Sequence, residues 1–269
     1  MANAWEKVFE MPVPGRSKKP RNSGFTMVID KSLGVRQTED LMELAADWID
    51  DIKLTFGTSA FYSAKVLQKK NEIIRAAGVD VMPGGTFLEV AIWQGRVPEY
   101  LKRAKELGFT MIEVSDGTIE VCSDLRKDVI KRSLDAGFKV ISEVGKKDPN
   151  EKVATEIMHE EIACDLDLGC FKVIVEAREA GKGVGIYDKD GKVKEDEVDG
   201  IIAGVKDSNS LVWEAPIKNQ MQHLIMRFGC NVNLGNIPPE EILALEALRQ
   251  GLRGDTLKQA YNSNPSFAK

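Results

Sequence analysis

Charged residues recur near the ends of apolar runs along this chain. The runs, in order, are MVID, DDIKLTFG, MIEVSDG, VISEVGKKD, VIVEARE, LVWEAP and NVNLGN. In a β-strand, side chains two positions apart share a face. Glu113 then lies with Ser115, Glu176 with Ile174 and Arg178, Glu214 with Val212, and Asn233 with Asn231 and Gly235. Charge is rare inside a sheet that is covered on both faces. Charge repeated at the carboxyl ends of successive strands is the pattern of the catalytic mouth of a (β/α)8 barrel.

The inward candidates are Asp30, Lys53, Glu113, Ser115, Glu143, Glu176, Arg178, Glu214 and Asn233. Lys146 and Lys147 stand just past the fifth strand, and Glu179 and Lys182 just past the sixth. Several carboxylates converging on one cavity do not all ionise cheaply without counter-charge. Lysines and an arginine supply part of it, and a hard divalent cation would supply more. Mg2+ takes oxygen ligands, keeps several waters and needs only one or two carboxylates. The two histidines, His159 and His223, fall in helical patterns and read as solvated or packing residues. With no His or Cys pairing to compete, Mg2+ or Mn2+ is the expected metal. A network of ion pairs without a metal is the other arrangement that these residues allow.

Three glycine-bearing turns could cradle an anion with backbone N–H groups: Gly84, Gly85 and Thr86; the last strand end at Asn233–Asn236 before Pro238; and the glycines at 181–185. In such barrels phosphate often lies near the last strands and a helix N-terminus. Together with Arg178 and Lys53, these turns suggest an anionic, phosphorylated substrate. Lys146 and Lys147 follow the inward Glu143 directly. A lysine beside other cations in a partly dry pocket can have a lowered pKa and exchange protons near neutral pH.

The elements that must position these groups alternate regularly. Residues 1–22 carry Pro12, Pro14, Gly15 and Pro20 among Arg16, Lys18, Lys19 and Arg21, and read as an arm that crosses the body or docks on a neighbour. A barrel domain over 23–256 follows, and then a tail over 257–269. The first helix is expected from Thr38 as its cap, and the one over 124–137, closed by Gly137, from Ser123 or Asp124. Pro98 and Gly108 bound another helix well. DVMPGGT reads as a short strand entering a Gly-Gly turn, and KVKEDEVDGIIAGV as a helix after a glycine-rich excursion. About eight Val/Ile-rich strands alternating with helices mean a parallel sheet closed into a barrel. An open doubly wound sheet is disfavoured, because no GxGxxG lies between the first strand and helix.

The 269 residues match the ~250 of one such barrel. A net charge of -5 gives no support for a nucleic-acid partner. No apolar run reaches the ~20 residues of a membrane span, and the N-terminus lacks a signal-peptide core. Cys122, Cys164, Cys170 and Cys230 have no CxxC spacing and read as reduced thiols of a cytoplasmic protein.

From Lys19 to Thr256, KPR, TMVIDKSLG, IKLTFGTS, IEVSDGT, SEVGKKD, VIVEAREAGKGVGIYD, WEAP, NVNLGNI and LEALRQGLRGDT resemble, in order, the phosphosulfolactate synthase family. EAREAGKGVGIYD is a specific run; IEVSDGT alone is not. The family pattern has Trp where this chain has Phe56 and Ala where it has Gly235. The resemblance implies a Mg2+-dependent, homo-oligomeric (β/α)8 barrel that adds sulfite to phosphoenolpyruvate. The product would be (2R)-2-O-phospho-3-sulfolactate, leading to coenzyme M in methanogens or to sulfolactate in some bacteria. It implies Lys147 as the acid that protonates the carbon beside the carboxylate, with Lys53 and Lys146 as further catalytic candidates. Arg178, Lys182, Gly84, Gly85, Ser115, Asn233 and Asn236 would hold substrate, and Glu113, Glu143 and Glu176 would hold Mg2+ or its waters. The family also contains plant heat-stress-associated members, so a non-catalytic relative stands as a second reading. Another Mg2+-dependent enzyme of phosphoenolpyruvate or an enolate is a third.

Overall fold

The computed structural model describes residues 4–148, 150–151 and 153–263. Its elements run β1 (Thr26–Asp30), α1 (Val35–Ala45), β2 (Asp51–Leu54), α2 (Ala64–Ala76), β3 (Asp80–Met82), α3 (Gly85–Trp93), α4 (Val97–Glu106), β4 (Met111–Val114), α5 (Ser123–Asp135), β5 (Lys139–Val144), α6 (Thr155–Leu168), β6 (Lys172–Val175), α7 (Glu195–Ala203), β7 (Leu211–Glu214), α8 (Lys218–Phe228), β8 (Leu234–Ile237), α9 (Ile242–Arg249) and α10 (Gly254–Ser263). The eight strands are parallel, in the order β3-β2-β1-β8-β7-β6-β5-β4. The seam between β3 and β4 is closed by Thr110. Its N–H donates to Val81 O at 3.1 Å, and its hydroxyl accepts from Val81 N at 2.9 Å. The fold is therefore a (β/α)8 barrel, as the alternating pattern requires.

Strand alternation divides two cores. Met27, Met82, Met111, Ile141, Ile174 and Val212 fill the barrel interior above Phe25. Their neighbours, such as Val28, Ile52, Ile112, Val140, Val173 and Trp213, face the helices. Each such side chain contributes ~1.5–3 kcal/mol on burial. Two residues beyond the inner apolar layer stand Glu113, Glu143, Glu176 and Glu214, all buried. The apolar plug below them fixes these carboxylates at one height.

The arm seals the opposite end. Arg16 Nε bonds Glu246 at 2.9 Å, Arg21 Nη1 bonds Asp50 at 3.1 Å, and Lys19 Nζ bonds Ala46 O and Gly78 O, both at 2.9 Å. It crosses the barrel's own base. Helix α10 runs across residue 256, so a boundary there cuts an element.

Two helix starts differ from the expected caps. Helix α1 begins at Val35 after Gly34, and Thr38 lies inside it with its hydroxyl donating to Gly34 O at 3.0 Å. Helix α5 takes Cys122 as its N-cap, which leaves Ser123 as the first helical residue. The Gly-Gly turn also launches a helix, α3, that the sequence reading did not separate. Helix α2 is capped by Ser63, whose Oγ accepts from Val66 N. No helix of the described residues is long and apolar enough to cross a membrane.

Candidate active site

A cavity of about 650 Å3 opens at the carboxyl ends of the strands. Its wall includes Lys53, Glu113, Glu143, Lys147, Glu176, Arg178, Glu214 and Asn236, with Gly84 and Gly85 at the start of α3. Lys53 Nζ lies 3.0 Å from Glu113 Oε2, 3.2 Å from Glu214 Oε1 and 3.8 Å from Glu143 Oε2. Lys147 Nζ pairs with Glu143 and with Glu176. The backbone fixes three of the carboxylates further. Gly85 N donates to Glu113 Oε1 at 2.9 Å, Ala177 N to Glu214 Oε2 at 2.9 Å, and Arg178 N to Glu176 Oε1 at 2.6 Å.

The charges are unevenly satisfied. Burial and the neighbouring Glu143 and Glu214 push the Glu176 carboxyl well above the usual range. Burial also raises Glu113, against the pull of Lys53. Glu143 goes the other way, to about 2, because Lys147 and Lys53 together outweigh its burial. Burial alone would lower Lys147, but Glu143 and Glu176 outweigh it and raise the ammonium. The expected lowering of its pKa does not occur, because its neighbours are anions. The carboxylate oxygens of Glu143, Glu176 and Glu214 lie within 4.8 Å of one another. These three could share one ion. Glu113, expected among the ligands, lies outside this triad, where it bonds Lys53 and Gly85, and Glu214 completes the triad.

Several candidates fall elsewhere. Ser115 is buried and donates to Glu89 Oε1 of α3 at 2.7 Å, off the cavity wall. Asn233 precedes β8 and sits at the barrel base, accepting from Phe25 N and donating to Asn209 O and Leu211 O. It has the inward face that strand alternation requires, but at the opposite end of the barrel from the mouth. Asp30 lies with Val28 on the helix-facing side and pairs with Lys70 of α2 at 2.6 Å. Lys146 turns back to Asp116, bonding its backbone O at 2.6 Å. Lys182 is exposed and outside the cavity wall. The 181–185 glycines fold their loop onto α8, where Gln220 Nε2 reaches Gly181 O and Gly191 O, so they cradle no ligand in the cavity. His159 packs between helices, with Nε2 2.9 Å from Gly200 O.

Asn236 does reach the cavity, by a route that alternation does not give. Thr26 pairs with Leu234 but Val28 with Ile237, so β8 carries a bulge, and Asn236 has φ +55°. Phe56 at +59° and Arg178 at +61° share this left-handed conformation, and all three line the cavity. Strained backbone of this kind clusters at functional sites. The sequence reading also missed a buried support behind the site. Arg126 joins Asp116 at 3.0 Å, Asp165 at 2.6 Å and Glu143 O at 3.0 Å. An arginine at helical spacing gives no sign of this role until the fold brings it under β5.

Gly85 has a defined job. A Cβ there would stand 2.6 Å from Glu113 Oε1 and collide with the Ser115 hydroxyl. Gly85→Ala is expected to displace Glu113 and cost roughly 1–3 kcal/mol of stability, the usual range for overpacking. A thermal melt checks the stability, and a loss of activity should accompany it.

The sequence profile of (2R)-phospho-3-sulfolactate synthase (ComA) matches residues 14–255. The chain is 42% identical over 251 residues to the phosphosulfolactate synthase of Methanothermobacter thermautotrophicus, covering 93% of this chain and 97% of that one. It is 43% identical over 235 residues to that of Methanocaldococcus jannaschii, covering 87% and 93%. Among solved structures, the YdjI aldolase of Escherichia coli K12 is similar at TM-score 0.54 and 13% identity, covering 91% of this chain and 92% of that one, which speaks for the fold alone. The matched residues span every strand end that builds the cavity, and the chain belongs to the phosphosulfolactate synthase family of carbon–sulfur bond-forming enzymes.

Proposed function

We propose that this enzyme adds sulfite to phosphoenolpyruvate, with Mg2+ held by Glu143, Glu176 and Glu214, to give (2R)-2-O-phospho-3-sulfolactate. The observation that carries the reading is the charge of the buried ring at the cavity floor. Four buried glutamates face two lysines, a formal sum of -2 when all are ionised. One divalent cation matches that sum, and three of the glutamates bring oxygens close enough to bind it. Within that set, burial and the neighbouring Glu143 and Glu214 raise the Glu176 carboxyl, which a bound cation would relieve. When bound, Mg2+ supplies positive charge to the substrate carboxylate as electrons move onto it.

The chain's own groups account for the rest. The phosphate fits the N-terminus of α3, where Gly84 and Thr86 line the cavity on either side of Gly85, whose own N–H is taken by Glu113. Sulfur attacks the methylene carbon C3, the C2=C3 π pair shifts toward the carboxylate, and C2 then takes a proton. Lys147 is the donor, since it is a protonated ammonium on the cavity wall. Delivery from a single wall gives a single configuration at C2. Lys53 pairs with Glu113, Glu143 and Glu214 and holds them in place.

Purified protein given phosphoenolpyruvate, sulfite and Mg2+ is expected to yield phosphosulfolactate by mass spectrometry. Exhaustive chelation should abolish turnover, and Mg2+ should restore it. Full turnover after chelation would leave the carboxylates as an ion-pair network. No sulfonated product would remove the substrate assignment.

A further inference from the structure

The cations on the cavity wall are not equivalent. Lys53 is matched by three carboxylates and Lys147 by two. Arg178 forms no ion pair among the described residues; its side chain makes one hydrogen bond, from Nη1 to Lys147 O at 3.4 Å. It is exposed, yet it lines the cavity beside Lys147 and Glu176. Its backbone is held at φ +61° by its own N–H on Glu176 Oε1. The left-handed turn breaks the strand's alternation and puts the guanidinium at the lip. An unneutralised cation at the open end of an acidic pocket calls for an anion from solvent.

We propose that Arg178 is the sulfite clamp of this enzyme. The inference rests on the sulfite-addition reading above and assigns a site for the second substrate. Sulfite is pyramidal, with three oxygens and a lone pair on sulfur. A guanidinium fork can hold two oxygens in parallel hydrogen bonds, as it holds a carboxylate. That leaves the sulfur lone pair free to point into the cavity. The S–C3 bond forms from that pair as the C2=C3 π bond breaks, and the proton goes to C2. A guanidinium does not give up its proton near neutral pH, so it stabilises the unprotonated nucleophile without competing as an acid. The phosphate of the other substrate is assigned above to the start of α3, and the deeper lysines are occupied by glutamates. The lip is the one part of the wall with a cation to spare.

The test separates the two substrates. In Arg178→Gln, the KM for sulfite at saturating phosphoenolpyruvate should rise roughly 10–100-fold, the loss of a charged hydrogen-bond pair. The KM for phosphoenolpyruvate should stay within about twofold, while the Lys variant should recover only part of the sulfite affinity, because it lacks the fork. Millimolar guanidinium added to Arg178→Ala should restore sulfite affinity, which a purely structural role would not permit. An unchanged sulfite KM, or an equal rise for both substrates, would overturn the clamp. Calorimetric titration of sulfite into the wild type and Arg178→Gln, without phosphoenolpyruvate, decides the matter even if no phosphosulfolactate forms. Binding that depends on Arg178 upholds the clamp while the reaction assignment falls. Absent or Arg178-independent binding removes the clamp itself.

Discussion

Replacing Lys147 with alanine is expected to lower kcat by ~10²–10⁴-fold, the range for a general acid, with a smaller change in phosphoenolpyruvate KM. The geometry selects this lysine over its neighbour. Lys147 Nζ sits on Glu143 and Glu176 at the cavity wall, whereas Lys146 Nζ bonds Asp116 outside it. Lys146→Ala is therefore the control and should retain most of the activity. Alanine at 147 also strips the counter-charge from two buried carboxylates, which is destabilising in itself. Lys147→Arg separates the effects. It keeps the positive charge, but a guanidinium holds its proton too tightly to deliver it near neutral pH. A melt close to wild type with kcat still strongly reduced would assign the loss to proton transfer. Recovery of kcat in Lys147→Arg would make the residue an electrostatic support, with Lys53 the next candidate acid.

What was legible in the sequence follows from the strand period. A period of two, anchored by Met111, Ile141, Ile174 and Val212 in the inner core, puts Glu113, Glu143, Glu176 and Glu214 on one ring. The barrel and this ring were readable before any coordinates. The period says nothing about height along the strand, and that is why Asn233 was assigned to the mouth but lies at the base. It also fails where the backbone leaves the strand region. Asn236 enters the cavity through a bulge, and Arg178 through a left-handed turn. Partners from distant elements were invisible for a different reason. Lys70 takes Asp30, Asp116 takes Lys146 and Glu89 takes Ser115, each across a contact between different elements of the fold. The Gly235 departure from the family pattern also becomes intelligible, since a Cβ there would stand 2.7 Å from Met27 Cε and require that flexible side chain to shift.

Glu176→Gln is expected to remove the enzyme's response to Mg2+. Glu143, Glu176 and Glu214 offer the one close carboxylate triad found among the described residues. Glu143 is held by Lys147, Glu214 by Lys53 and the Ala177 N–H, and Glu176 by Lys147 and the Arg178 N–H. An amide at 176 keeps the shape and the oxygen that accepts from Arg178, but it loses the charge that favours a cation. For the wild type, Mg2+ at about 100 times its Kd should add ~2.7 kcal/mol. At ~2–4 °C per kcal/mol for a chain of this size, the melting temperature should rise by roughly 5–10 °C. The Gln variant should show little or no rise at the same concentration, and its activity should fall with it. Glu113→Gln is the informative comparison, because Glu113 lies outside the triad and bonds Lys53 and Gly85. It should keep the Mg2+-dependent rise even if turnover suffers. Equal loss of the rise in both variants would move the ion toward Glu113 and Lys53. A rise preserved in Glu176→Gln would place the ion elsewhere and leave Glu176 as the counter-charge that seats Lys147.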